Sequence, residues 1–530
     1  MALAPANVIV IGGTIHTVDD RYSSAKAFAI AGNRFSYVGS VAGAMEMRGP
    51  ATEVLELEGA TVMPGLVDAH LHLTGLGLAL EQADLRDVHS FEELVARAER
   101  HARTSNGGWV FGRGWDESLW PDRDLPVHDE LSAAIPDRPV VLTRVDGHAL
   151  LANACAMRDA GIREDMPTPP GGRIVRAGDG RLTGVFIDTA QELIFDRAPK
   201  PSQARLVQAI RAAIAECNRW GVTAIAEPGC DDAALAAHRE LLERDEFSIR
   251  NYAMLHDQPE LIASHTGRGP VEAAYDGRLW VNAIKMYADG ALGSRGAALL
   301  APYSDDPANL GLTLASPKRI EDTTVAALRN GFQVCVHAIG DRANRGALDA
   351  YEAALRRARV TSEPRLRIEH AQVVAAQDVR RFAELGIIAS MQSTHALSDA
   401  PWVESRLGPE RAGDAYAWRS LLDAGATIAN GSDAPVEAVN TARSFYAAVA
   451  RPWQPHQRMT RRETLDSMTL AAARANFADH LIGSITPGKY ADFVVMDRDW
   501  MAVAPEAILE TTILRTYFAG QPVYGFRARN

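Results

Sequence analysis

Eight short β-rich runs, separated by longer amphipathic stretches, constrain this chain more than any other feature. The runs are VMPGLVDAH, VTAIAE, FSIRNYAML, VNAIKMYAD, FQVCVHAIG, LRIEHAQ, GIIASMQST and TIANGSDAP. Between them lie Ala- and Arg-rich segments such as RLVQAIRAAIAECNRW and RANRGALDAYEAALRRARV, whose apolar positions recur at helical spacing. Such alternation marks βαβ units and a parallel sheet. An open doubly wound sheet is the rival architecture, but no G-x-G-x-x-G or G-x-x-x-x-G-K follows any run. The expectation is an α/β fold with a closed, TIM-like (β/α)8 barrel over about 64–482.

A chain of 530 residues exceeds what one hydrophobic core usually serves, so further units are expected. The first 63 residues read as short strands, VIVIGGTIHTV, AFAIAGNRFSYVG and TEVLELEGATVMPG, and residues 483–530 read the same way in ADFVVMD and TILRTYFAGQPVYG. Neither half buries enough apolar surface alone, so the two are expected to complete one composite β-sandwich. Residues from about 80 to 200 interrupt the barrel rhythm after its first strand. They include GGWVFGRGWDESLWP and a hairpin-like GRIVRAGDGRLTGVFID, and are expected to form an inserted subdomain over the catalytic face.

A net charge of -12 argues against nucleic acid or an anionic membrane surface as the main partner. No apolar stretch reaches the roughly 18 to 20 residues of a membrane span. The N-terminus shows no basic segment followed by an apolar one, and the four cysteines form no C-x-x-C pair, so a cytoplasmic, reducing setting without a disulfide framework is expected.

His70 and His72, two apart at the end of the first run, share a face and can grip one cation together. Alone, H-x-H is equally a pair of packed or solvated histidines. Lys285, His337, His370 and Asp433 also fall at the ends of later runs, however, and in a barrel all such ends converge on one mouth. His16, His89, His101, His238 and His480 lie outside strand-end positions and read as solvated or capping residues.

These motifs resemble the amidohydrolase superfamily, and within it the YtcJ-like branch (amidohydrolase family 3) that includes N-substituted formamide deformylases. The resemblance spans nearly the whole chain, through GLVDAHLHL, GWDESLW, VDGHALLAN, IKMYADGALGSRGAAL, VCVHAIGDRA, RIEHAQ, NGSDAPVE and TPGKYADFVVMD. It implies His70 and His72 on a more buried metal, His337 and His370 on a second, and Asp433 as shared ligand and proton shuttle. Lys285 would be N-carboxylated and bridge two divalent ions, zinc first among the candidates. An unmodified Lys285 paired with a carboxylate is the alternative, and would leave a one-metal site. Two ions about 3.5 to 4 Å apart would provide a metal-activated hydroxide, with Lys285, His337 and Asp433 carrying the catalytic roles. The reaction expected is hydrolysis of the C–N bond in a small N-substituted amide, without an organic cofactor.

Trp115 and Trp120 can either line a pocket for the N-substituent or simply pack. His148 can polarise a carbonyl, close the site or stabilise a turn. Asp289, Arg295 and Gln392 belong to the branch motifs as substrate contacts, with a structural ion pair as the other reading of the Asp and Arg. His395 lies near the seventh strand's end, facing the cavity. A mononuclear deaminase of the superfamily would carry H-x-x-E after the fifth run, where this chain has Gly340. Lactone, carbamate or urea hydrolysis uses the same groups, and a silent metal-binding scaffold would lack a ligand. Self-association as a homodimer is open to the β-domain or the barrel helices, and no residue demonstrates it.

Overall fold

The computed structural model describes residues 5–19, 24–105, 108–360 and 362–525; the two ends of the expected β-domain, 1–4 and 526–530, lie outside the described residues. All eight runs are strands of one parallel sheet: β1 (Leu66–Asp68), β2 (Val222–Cys230), β3 (Arg250–Leu255), β4 (Leu279–Tyr287), β5 (Gln333–Ala338), β6 (Arg367–His370), β7 (Ile388–Met391) and β8 (Ile428–Asn430), hydrogen-bonded in chain order. The first and last strands meet where the Ala69 amide donates to the Asn430 carbonyl, at 3.1 Å, which brings the sheet round into a nearly closed barrel. Small side chains, Ala69, Ala224, Ala226, Ala283 and Ala429, pack among the core residues of these strands.

The helices follow from the amphipathic stretches. Gln203–Arg219, capped by the Ser202 hydroxyl accepting from the Arg205 amide, buries Leu206, Val207, Ile210, Ala213, Ile214 and Cys217, one face at helical spacing. The same pattern in Asp341–Ala358 buries Ala343, Ala347, Leu348, Tyr351 and Ala354 against the outside of the strands.

Strands from both ends of the chain join in a single sheet of eight, because Phe493–Met496 pairs antiparallel with Thr61–Pro64 beside Val8–His16. Its core is aromatic, with the Phe493 and Tyr517 rings stacked at 4.2 Å and Phe28 edge-on to Phe493 at 5.1 Å. Arg250, at the foot of β3, is buried in a two-bond ion pair with Asp492, at 2.7 and 2.9 Å, and lies over the Tyr490 ring. That contact ties the end sheet to the barrel.

The inserted stretch forms a six-stranded sheet in the order Gly172–Arg176, Leu182–Asp188, Ala149–Ala152, Val140–Arg144, Val110–Trp115, Ala83–Asp84. The GRIVRAGDGRLTGVFID stretch is its antiparallel hairpin. No helix is long and apolar enough to cross a membrane among the described residues. The four cysteines are buried and free.

Candidate functional site

The ends of β1 and β8 are stitched together. The Asp68 carboxylate accepts from the His70 amide at 3.1 Å and the Ser432 amide at 2.9 Å, the Asp433 amide donates to the His70 carbonyl, and the His72 amide donates to Ala434. Gly431 is required at this seam, because a Cβ there would lie 2.5 Å from the His70 nitrogen. Burial, the dominant influence on Asp68, raises its carboxyl to about 6.

This stitching aims the side chains at one point. His70 Nε2 and His72 Nε2 lie 3.5 and 3.2 Å from Asp433 Oδ1, and His70, His370 and Asp433 each offer an atom within 4.8 Å of the others. The His337 and His370 rings are 4.5 Å apart, edge to face. His370 and Asp433 sit at φ of 72° and 58°, left-handed backbone that is costly for residues with a Cβ and that concentrates at functional sites.

The electrostatics favour a cation at this point. Burial, then the charge of Lys285, lowers His70 to about 4, and burial drives His337 and His370 well below the usual imidazole range. Burial opposes ionisation of Asp433, but the adjacent His72 imidazole and the charges of His70 and His370 outweigh it and hold the carboxyl well below its ordinary value. Lys285 is 1% exposed on β4, forms no ion pair among the described residues, and is lowered by burial to about 8. Its amine therefore gives up its proton more readily than that of an exposed lysine.

Two neighbours orient the imidazoles. His70 Nδ1–H donates to Glu369 Oε2 at 2.5 Å, and Glu369 is itself fixed by Arg367 at 2.7 Å. His370 Nδ1–H donates to Gln392 Oε1 at 2.8 Å. Each bond leaves the Nε2 lone pair free to ligate, the usual second partner of a metal-binding histidine. His70 Nε2, His395 Nε2 and Asp433 Oδ1 are buried without a hydrogen-bond partner. Orphaned atoms of this kind, imidazole nitrogens and a carboxylate oxygen converging on one point, fit a divalent transition-metal ion.

The centre opens into a cavity of about 1280 Å³ roofed by the inserted sheet. His148 reaches it from that sheet, 5.4 Å from the His337 ring, with its Nδ1–H donating to Asp188 Oδ1 at 2.6 Å. Burial works to lower His148, but Asp188 overrides it and raises the imidazole to about 9. Gly290 and Gly296 of the ADGALGSRG motif leave room for this carboxylate, since a Cβ on either would meet Asp188 Oδ2 within 3 Å. His395 also lines the cavity, with Nε2 3.8 Å from Asp433.

Five of the residues expected to touch substrate do not line this cavity. Trp115 is fully buried in the core of the inserted sheet, with Nε1–H donating to Leu142. Trp120 packs beside it at 6.1 Å and donates to Val88. The cause is a bulge at Gly114, φ +113°, where the register with the next strand shifts between Arg113 and Trp115 and turns the tryptophan inward. Asp289 is consumed by the amides of Ala298, Ile339 and Gly340 at 2.8 to 3.0 Å, and shapes the loops behind His337. Arg295 pairs with Asp305 at 3.0 Å, outside the cavity, which is the structural ion-pair alternative. Gln392 holds His370 rather than facing substrate.

Sequence reasoning missed Glu369, although it stands next to His370, and it missed Asp188 and Arg113, which lie on the inserted sheet. His238 is fully buried rather than solvated, 3.2 Å from Glu227 on β2.

Residues 53–524 match the amidohydrolase family. The chain is 35% identical to Protein LONG AFTER FAR-RED 3 of Arabidopsis thaliana, covering 98% of this chain and 92% of that one. It is 32% identical to the putative amidohydrolase YtcJ of Bacillus subtilis (strain 168), covering 97% and 98%. With the N-substituted formamide deformylase of Arthrobacter pascens it shares 28% identity, over 97% of each. Among solved structures, an uncharacterized metal-dependent hydrolase from Pyrococcus furiosus superposes with a TM-score of 0.75 at 30% identity, over 93% of this chain and all of that one. The nearly closed barrel, the convergent strand ends and these matches agree that the chain belongs to the amidohydrolase family, as a metal-dependent hydrolase of carbon–nitrogen bonds.

Proposed function

We propose that the protein hydrolyses the C–N bond of a small N-substituted amide, an N-formyl or N-acyl amine, at a centre of two divalent ions, zinc in the first instance. The observation that carries this reading is the convergence of the orphaned His70 Nε2 and Asp433 Oδ1 beside a buried, unpaired Lys285. His70, His72 and Asp433 would hold one ion, His337 and His370 the other, and Lys285, N-carboxylated, would bridge them. Ions so held acidify water and polarise a carbonyl.

The chain's own groups complete the reaction. Asp433 takes a proton from the attacking water and returns it to the departing nitrogen, so that the water oxygen ends on the acyl carbon and the amine leaves neutral. His148, held protonated by Asp188, donates toward the amide oxygen as negative charge grows there. His395 stands beside Asp433 and limits where the leaving nitrogen can sit. The deaminase alternative places an acid where this chain has Gly340, and a Cβ there would lie 2.0 Å from the Ala298 carbonyl, which leaves no room for one. The reading includes a cytoplasmic location and a small-molecule substrate.

The test is metal content per chain, paired with turnover of N-formyl and N-acyl amines before and after chelation. Near two ions per chain with chelator-sensitive release of amine is expected. One ion and no amide turnover would sink the two-ion amidase reading.

A further inference from the structure

The arginines around the cavity divide into paired and unpaired, and of the unpaired two among the described residues Arg443 is exposed to solvent whereas Arg113 is half-buried. Arg86 pairs with Asp84, Arg97 with Glu93, and Arg144 with three carboxylates, Asp116, Glu117 and Asp146, at 2.7 to 2.8 Å. Arg113 pairs with none among the described residues. Its hydrogen bond runs from Nη2 to the Val145 carbonyl, at 3.2 Å, and its buried Nε has no partner.

Local geometry explains the difference. On the strand Val110–Trp115, Val110 and Gly112 face the core of the inserted sheet, whereas Phe111 and Arg113 line the cavity. Asp146, the acid of the same sheet whose charge acts on Arg113, has both its oxygens committed, Oδ2 to Arg144 and Oδ1 to the His148 amide at 3.0 Å. The guanidinium lies against Gly147, where a Cβ would sit 3.1 Å from Nη2, so it is held beside the turn that carries His148. Arg113 and Asp433 line the same cavity, and burial lowers the guanidinium's pKa while the charge of Asp433 opposes this. A half-buried cation without a counter-ion is costly unless a ligand supplies one.

We propose that Arg113 is a specificity-determining residue that binds a carboxylate on the substrate, so that the amides hydrolysed best carry an anionic group away from the scissile bond. Guanidinium offers a planar, charge-assisted donor pair matched to a carboxylate. This rests on the amide-hydrolysis reading and narrows its substrate class. The carboxylate can belong to the amine portion or to the acyl portion, and matched probes separate the two.

The experiment compares kcat/KM of the metal-loaded enzyme for N-acetylphenylglycine against N-acetylbenzylamine, and for N-benzylsuccinamic acid against N-benzylbutanamide. In the wild type one anionic member is expected to exceed its neutral partner by about tenfold or more, as a charge-assisted hydrogen bond would give. Arg113→Met should collapse that ratio, chiefly through KM, and Arg113→Lys should restore part of it. Melting temperatures report whether each variant is folded. Equal kcat/KM within both pairs, or an Arg113→Met loss that falls equally on charged and neutral members, overturns the assignment and leaves amide hydrolysis standing. If no amide turns over, the hydrolysis reading fails, and calorimetry decides for Arg113: tighter binding of N-acetylphenylglycine by wild type than by Arg113→Met, about tenfold, supports the anion site, and equal binding overturns it.

Discussion

The barrel seam and the inserted sheet fix their polar groups by different means. At the seam, backbone amides and a buried carboxylate, Asp68, hold the ends of β1 and β8 in register, and the side chains they carry are left open toward the cavity. In the inserted sheet side chains do the fixing: Arg144 gathers three carboxylates, and two indoles donate to carbonyls in the core. A group at the seam is thus positioned without being consumed. In the sheet, most polar groups are consumed by their own fold, and substitutions in the two regions should fail in different ways.

The largest effect belongs to the seam. Asp433→Asn is expected to lower amide kcat by about a thousandfold, with a melting temperature close to wild type; retained turnover would break the assignment of that carboxylate. Trp115→Ala should do the reverse, costing about 3 to 5 kcal/mol of stability by leaving a hole in the inserted core. Denaturant unfolding measures it. A variant of normal stability whose KM alone rises would return Trp115 to the substrate pocket.

A third expectation uses pH. Burial works to raise Glu227, but His238 and Thr74 outweigh it and lower the carboxyl from its ordinary 4.5 to about 2. A depressed carboxyl contributes stability above its unfolded pKa and loses it as pH falls through the folded value, here about 3 kcal/mol between pH 5 and 2. The stability gap between wild type and Glu227→Gln should be widest above pH 5 and narrow below 4.5; a gap independent of pH would mean that shape, not charge, holds this site. The smallest effect is expected at Gln392. Gln392→Ala should weaken metal affinity by about 10- to 100-fold in a chelator competition, while a change confined to KM would make it a substrate contact.

The fold was legible because the alternation of strand and helix patterns is local, and each of the eight runs is a barrel strand. The candidate ligands were legible because parallel topology delivers every strand end to one mouth, so position in a motif is already position in space. The inserted sheet offers no such guarantee. Simple alternation puts Arg113 and Trp115 on one face, but the bulge at Gly114 separates them, and nothing in the run GRGW announces which side of the bulge meets the core. Asp188 and Glu369 act through partners more than 35 residues away, His148 and His70, and His238 is buried by Glu227 on β2, pairings that only the folded chain creates.

Asp68 joins two segments 364 residues apart in the chain. Two of the six candidate ligands, His70 and His72, arrive with the opening strand of the barrel and the other four with later strands, so an unfinished barrel has nothing to offer an ion beyond isolated imidazoles. Ion uptake and the docking of the last strand are thermodynamically one event: whatever binds the finished centre adds RT ln(1 + [M]/Kd) to the stability of the closed ring and nothing to that of the open one. Starved of metal, the enzyme loses its reagent and also part of the force that keeps its ring shut.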